Sequence, residues 1–217
     1  NAFLSAICGN TTIWKPSEET PLCAIAVQNI CNEVLKVNDV PDIFSLVIGN
    51  GSTVGENLIN NKTVPLVSFT GSTKVGKHVG EVVSSRFGKT ILELGGNNCI
   101  IVDESADMNM VVPAIVFGAV GTAGQRCTST RRVIVHENIY DNLIDKVMSA
   151  YKQVKIGDPL KKDTLMGPVV NEKAVSNHFA AIEEAVSMGG KVLCGENRIS
   201  EEGSFVEPVI IEANNEW

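Results

Sequence analysis

The 217-residue chain carries 18 Lys plus Arg against 25 Asp plus Glu, a formal net charge of −7, and its residues are 44% hydrophobic and 20% charged. This diffuse acidic balance argues against nucleic acid or an anionic membrane surface as the main partner. The composition is that of a folded core and not of a disordered tract, and no apolar run approaches the roughly 20 residues that span a bilayer.

Taken in order, Ile7–Trp14 reads as a strand closed by Lys15-Pro16-Ser17-Glu18. From Pro21 to Lys36, apolar residues at 22, 25, 26, 30 and 34 follow helical spacing. Ile43–Ile48 is a short strand ended by the turn signal Gly49-Asn50-Gly51, Thr53–Asn60 a short helix, and Pro65–Phe69 a further strand. Thr70-Gly71-Ser72 opens a helix that runs to about Phe87, with a hydroxyl suited to capping. Thr90–Leu94 and Cys99–Val102 are strands on either side of Gly95-Gly96. Asp107 caps a helix reaching Val120, and Arg131–His136 is a strand. Asn138–Val154 and Asn171–Met188 are long amphipathic helices, and Val206–Ile211 is extended. Short apolar strands alternating with helices predict an α/β fold with largely parallel sheets. Gly95-Gly96 separates two strands with no helix between them, so domains are expected at 1–94 and 95–217. The chain starts inside the apolar stretch Ala2–Ile7 and stops at Asn214-Asn215-Glu216-Trp217, which reads as an internal piece of a longer protein.

None of the six cysteines (Cys8, Cys23, Cys31, Cys99, Cys127 and Cys194) is spaced C-x-x-C, so no zinc knuckle or redox pair is encoded and no metal is expected. Most lie in apolar segments as small hydrophobes, and a chain of this size needs no disulfides, which places it in a reducing, intracellular setting. His78, His136 and His178 are widely spaced, none with a partner that suggests a Cys–His dyad or a metal site, and read as surface or helix-face residues.

Two loops approximate phosphate-binding patterns. Gly49-Asn50-Gly51-Ser52-Thr53-Val54-Gly55 follows a strand and opens a helix, but its third glycine is one position late for G-x-G-x-x-G. Gly71-Ser72-Thr73-Lys74-Val75-Gly76-Lys77-His78 is a P-loop with His78 where a magnesium-binding Ser or Thr belongs. Each leads a strand into a helix N-terminus, where free N–H groups favour an anion, although an ordinary helix cap has the same form. Two such loops in one α/β subdomain favour a dinucleotide.

The polar, glycine-spaced stretch Gly121-Thr122-Ala123-Gly124-Gln125-Arg126-Cys127-Thr128 falls between a helix and a strand, where functional loops concentrate. Arg126 beside Cys127 favours thiolate over thiol. Glu93, between Leu92 and Leu94, is costly in an apolar strand unless paired or catalytic, or else faces solvent in a period-2 pattern.

In consistent order along the chain, Lys15-Pro16-Ser17-Glu18, Phe69-Thr70-Gly71-Ser72-Thr73, Glu93-Leu94-Gly95-Gly96 and Gly124-Gln125-Arg126-Cys127 resemble the aldehyde dehydrogenase superfamily. Gly95-Gly96-Asn97-Asn98 and the Cys127 stretch look most like its antiquitin, or α-aminoadipic semialdehyde dehydrogenase, branch; Lys15-Pro16-Ser17-Glu18 departs from that branch toward the wider superfamily. The resemblance implies part of a Rossmann-like NAD-binding domain followed by part of an α/β catalytic domain. It makes Cys127 the nucleophile that adds to the aldehyde, with its backbone N–H an oxyanion donor, and Glu93 the base that activates water against the thioester. Lys15 and Glu18 would contact the adenosine ribose, an acidic group there favouring NAD over NADP. Ser72 would contact the pyrophosphate, Gly51 and Gly55 would admit the adenine, and Thr70, Gly71 and Leu94 complete the cofactor set. Arg126 would meet a substrate carboxylate, as in an acidic semialdehyde, or else serve as a local charge. The full-length protein is expected to be a cytoplasmic homotetramer. The family's upstream Asn oxyanion donor and downstream Glu-x-Phe-Gly-Pro are absent from this chain. A P-loop nucleotide-binding module and a cysteine acyltransferase or hydrolase with a histidine base are the alternatives from other classes.

Overall fold

Strand, crossover helix and parallel strand follow one another three times in this chain, whose computed structural model describes residues 1–40, 42–200 and 202–214. After a short helix α1 (Ala2–Ile7), the first repeat is β1 (Thr12–Trp14), α2 (Pro21–Val37) and β2 (Phe44–Leu46). A π-helical turn at Gly51–Gly55 then leads into α3 (Glu56–Asn60). The second repeat is β3 (Leu66–Thr70), α4 (Thr73–Ser85) and β4 (Lys89–Glu93), and the third is β5 (Asn98–Val102), α5 (Met108–Val120) and β6 (Thr130–Val135). Parallel neighbours cannot be joined by a hairpin, so each pair needs its crossover helix. Beyond them lie α6 (Tyr140–Tyr151), α7 (Glu172–Ser187) and an antiparallel pair, β7 (Lys191–Cys194) with β8 (Ile210–Glu212). The α/β class is therefore as the alternation of patterns predicts.

The chain divides into two compact units, Asn1–Gly95 and Gly96–Trp217. In the first, Val79 and Val83 on one face of α4 meet Ile59 of α3, with Val67 and Phe69 of β3 and Leu92 of β4 against them. Spacing of three to four residues along α4 puts Gly76, Val79 and Val83 on that buried stripe. In the second, Val102, Ile115 and Val120 pack with Leu143, Val147 and Tyr151, which recur every four residues on α6. Side-chain caps start the helices: Ser72 on α4, Asp107 on α5 and Asn171 on α7 each accept a backbone N–H of the first turn.

Several local expectations are corrected. The strand expected from Ile7 begins only at Thr12, because Ala2–Ile7 is helical; a short apolar run has no period of its own to decide between the two. The helix expected from Thr53 becomes α-helical only at Glu56, since Asn50 caps a wider turn through its side chain to Thr53 N–H. Within the stretch Val206–Ile211, expected to be extended, strand pairing begins only at Ile210 and runs to Glu212, and Val206 makes an isolated bridge to Arg198. Neither α1 nor β7 is visible in the hydropathy pattern. None of the six cysteines is buried: Cys8, Cys23, Cys99 and Cys127 are exposed, and Cys31 and Cys194 are half-buried. Strand alternation explains Cys99, which shares its outer face with Ile101 while Val102 turns inward.

Candidate active site

Within the first unit, the candidate cofactor residues gather at the carboxyl ends of the parallel strands, the place where open α/β sheets bind ligands. Lys15 directly follows β1. Its Nζ donates to the Pro16 carbonyl at 2.7 Å and to Glu18 Oε2 at 3.2 Å. The aliphatic stem of Lys15 lies beside Gly55, within 3.9 Å of where a β-carbon would stand. The Glu18 carboxyl is held below the ordinary carboxylate range, first by a backbone N–H of its own residue, then by the hydrogen bond and charge of Lys15, and also by the Gly51 N–H. Lys15, Glu18, Gly51 and Gly55 therefore form one corner. A β-carbon on Gly51 would meet nothing within 4 Å, so that corner offers an acceptor, a donor and an open floor, which fits a ribose diol.

At the second pair of strands, Thr70 and Glu93 are direct register partners, and Gly71 N–H donates to the Glu93 carbonyl at 3.1 Å. Ser72 caps α4 by accepting Val75 N–H at 3.3 Å. Leu94 lies across the first turn of α4 against Gly76. Glu93 itself is exposed, sharing its face with Ile91 and Lys89 while Leu92 turns inward. The burial penalty expected for this carboxylate does not arise, because the pleat sends it away from its apolar neighbours.

The P-loop alternative meets a geometric obstacle. The helix already begins at Thr73, so Gly76 and Lys77 stand inside α4 instead of in a loop that could wrap a triphosphate, and Lys77 reaches toward Glu81 one turn on. His78 is exposed on α4, a helix-face position as expected, and its Nε2 lies 2.9 Å from Glu56 Oε2, joining α4 to α3. His136 is likewise engaged, accepting Asn138 N–H at Nδ1 as a local cap.

In the second unit, the chain leaves α5 through three successive left-handed residues, Thr122, Ala123 and Gly124, with φ of 57°, 52° and 67°. Left-handed Thr and Ala each cost about 1–2 kcal/mol, so the surroundings must hold them. Gln125 supplies part of that hold: its Oε1 accepts Val170 N–H at 2.8 Å and its Nε2 donates to the Thr122 carbonyl at 3.2 Å. Ser129 N–H then donates to the Arg126 carbonyl at 3.1 Å, closing a β-turn with Cys127 and Thr128 at its exposed centre. Buried Ser129 accepts Arg126 N–H at Oγ, 3.1 Å away. Residues at the centre of such a turn keep their own N–H groups out of the closing bond.

Arg126, expected beside a substrate carboxylate or as a local charge, holds the end of α5. Its Nη2 donates to the Phe117 carbonyl at 3.0 Å and its guanidinium lies 5.0 Å from the centre of the Phe117 ring. Its Nε is buried without a hydrogen-bond partner. Asn98, Gln125 and Ser129 are site-building residues that pattern reading does not mark for this role; the paired asparagines at 97 and 98 signal the first, and the Gly124-Gln125-Arg126-Cys127 motif contains the second.

Parallel βαβ units with polar residues at their strand ends, joined in sequence to a turn that presents a thiol, define a class. Residues 1–216 match the aldehyde dehydrogenase family, and the chain belongs to it. An aldehyde dehydrogenase family 7 member A1 homologue of Caenorhabditis elegans is 52% identical over 214 residues, which cover 97% of this chain and 40% of that protein. The α-aminoadipic semialdehyde dehydrogenase of Mus musculus is 43% identical over 211 residues, covering 97% and 39% respectively. Among solved structures, glyceraldehyde-3-phosphate dehydrogenase of Methanocaldococcus jannaschii, complexed with NADP, gives a TM-score of 0.90 at 34% identity, over 96% of this chain and 45% of that one. Betaine aldehyde dehydrogenase of Staphylococcus aureus, in complex with NAD+, gives 0.87 at 32% identity, over 93% and 40%. The chain spans about two fifths of the length of the curated relatives it matches. Among the described residues, no helix is long and apolar enough to cross a membrane.

Proposed function

We propose that the protein containing this chain oxidises an aldehyde to a carboxylic acid through a thioester on Cys127, with NAD favoured over NADP. The observation that carries this reading is the thiol turn: Cys127 stands exposed at its centre, beside a backbone N–H that the closing hydrogen bond does not use. The thiolate adds to the aldehyde carbonyl carbon, forming a C–S bond, while the Cys127 N–H donates to the oxygen that gains the negative charge. Hydride acceptance is the chemistry that the nicotinamide cofactor supplies when bound. Glu93 then takes a proton from the water that attacks the thioester, and the C–S bond breaks to return the thiolate.

The first unit, expected at 1–94, is proposed as part of the cofactor domain, and the second, expected at 95–217, as part of the catalytic domain. Lys15 and Glu18 would hold the adenosine ribose and Gly51 and Gly55 the adenine side. Thr70, Gly71, Ser72 and Leu94 would hold the remainder of the cofactor. Glu18 would repel a 2′-phosphate at that corner, which is the basis for favouring NAD. An acidic semialdehyde is the proposed substrate, supported by the name of the α-aminoadipic semialdehyde dehydrogenase that is 43% identical. A cytoplasmic homotetramer belongs to the same proposal and rests on the family resemblance.

In the full-length protein, Cys127→Ala is expected to abolish NAD-linked aldehyde oxidation while leaving NAD affinity within about twofold, because the variant changes bond making and not the ribose corner. Steady-state rates and cofactor titration check both halves, and retained turnover removes Cys127 from the mechanism.

A further inference from the structure

The thiol turn has a second support besides Ser129 Oγ, the side chain of Asn98. Asn98 opens β5 at a bulge: it pairs with Thr130, whereas Cys99 pairs with Arg132, so Arg131 has no partner across the strands. Bulges re-aim a side chain relative to the regular pleat. The Asn98 Nδ2 lies 2.6 Å from the Cys127 carbonyl and 3.0 Å from the Ser129 carbonyl. A carboxamide nitrogen carries two protons, and here each has a carbonyl to meet. The close approach depends on the neighbouring glycine. A β-carbon on Gly96 would stand 3.0 Å from Asn98 Oδ1 and 3.3 Å from the Cys127 oxygen.

We propose that Asn98 is the positioning residue of the thiol turn, its two-pronged amide fixing the backbone that carries the Cys127 thiol and its oxyanion-binding N–H. The inference rests on the proposed role of Cys127 and extends it. β-Turns interconvert between their common forms by rotation of the central peptide, and in this turn the carbonyl of that peptide belongs to Cys127. A carbonyl bonded to Asn98 cannot rotate away without losing its partner. The preceding peptide is fixed as well. Its carbonyl, that of Arg126, accepts Ser129 N–H, and in a planar trans peptide the Cys127 N–H must then point the opposite way. Asn98 also holds the carbonyl of Ser129, the residue whose N–H fixes the Arg126 carbonyl, so it anchors the Cys127–Thr128 peptide directly and the Arg126–Cys127 peptide through Ser129. The thiol and the N–H would thereby be set in place before an aldehyde arrives, which is the condition for oxyanion stabilisation without reorganisation.

The test uses the full-length protein with NAD and an aldehyde that the parent oxidises, and compares Asn98→Asp, which keeps the shape but loses both donors, with Asn98→Ser, which keeps one. Asn98→Asp is expected to lower kcat about 100-fold, the scale of a misplaced reacting group, with aldehyde KM and NAD affinity within about twofold. Asn98→Ser is expected to lose less. The rate at which iodoacetamide alkylates Cys127, measured without aldehyde, is expected to change at least about threefold in the Asp variant, since it reads thiol presentation directly. Parental kcat in a folded Asn98→Asp protein overturns the proposal, as does a loss shared equally by kcat and cofactor affinity. If Asn98→Asp does not fold, Asn98→Ser is judged by the same criteria. A parent that oxidises no aldehyde overturns the functional reading instead. The alkylation rate then still decides the clamp, an unchanged value removing it.

Discussion

Leu94 lies so close over Gly76 that a β-carbon at position 76 would collide with its Cδ2 methyl. The contact presses the first buried turn of α4 onto the exit of β4, so the Ser72 cap and the Glu93–Leu94 strand end are set by one interface.

Gly76→Ala tests that interface with two opposed effects. Alanine is favoured over glycine by about 1 kcal/mol in a helix interior, whereas overpacking costs about 1–3 kcal/mol. A net loss of up to about 2 kcal/mol is expected on this balance, read as a lower denaturation midpoint of the full-length protein. Adding Leu94→Ala should recover part of the loss, giving a favourable coupling in the double-mutant cycle. A stabilised Gly76→Ala protein would show that helix propensity outweighs the contact.

Glu93→Gln keeps the size and hydrogen-bonding shape of the side chain but removes the carboxylate proposed as the base. Deacylation should slow about 100-fold or more, while the first turnover, which only needs Cys127 and the cofactor, stays fast. Rapid-mixing kinetics would then show a burst of reduced cofactor followed by a slow steady state. Loss of the burst itself would move Glu93 from deacylation to the acylation half-reaction.

Arg126 is tied to Phe117 by a carbonyl hydrogen bond and a cation–π contact. Arg126→Ala is therefore expected to loosen the end of α5 by about 1–3 kcal/mol and to reduce oxidation of charged and uncharged aldehydes alike. The comparison of kcat/KM for an acidic semialdehyde with that for an uncharged aldehyde decides the matter. A selective loss on the acidic substrate would give Arg126 to the substrate carboxylate.

Tyr151 lies in the core of the second unit, and burial, with a smaller contribution from Cys194, pushes its phenol up to about 12. A phenol in the unfolded chain titrates near 10. The folded pKa is the higher of the two, so this group's contribution to stability is fully present below about pH 10. It is lost as pH rises from about 10 through about 12. Two pKa units correspond to on the order of 3 kcal/mol. Thermal denaturation should fall over that window, and Tyr151→Phe should flatten the fall; an unchanged slope would point to other groups, Tyr140 first, whose phenol is also pushed up to about 12 by burial and by Glu212.

Local rules sufficed where a segment carries its own period and punctuation. Val79 and Val83 at helical spacing behind the Ser72 cap are enough to place α4, and Asn171 does the same for α7. The order of four short motifs likewise pointed to the family that residues 1–216 match. By itself, then, the sequence determined the α/β class, most of the helix starts and the family, because capping, periodicity and motif order are properties of neighbouring residues. Only the tertiary structure decided that Ala2–Ile7 is helical and that Lys191–Cys194 is a strand, the latter because its hydrogen-bond partner lies at Ile210–Glu212. It alone turned Glu93 outward, brought Lys15, Glu18, Gly51 and Gly55 to one corner, and placed the Asn98 amide on the Cys127 carbonyl 29 positions along the chain. Such relationships depend on strand pairing and on a bulge in its register, which no local propensity encodes.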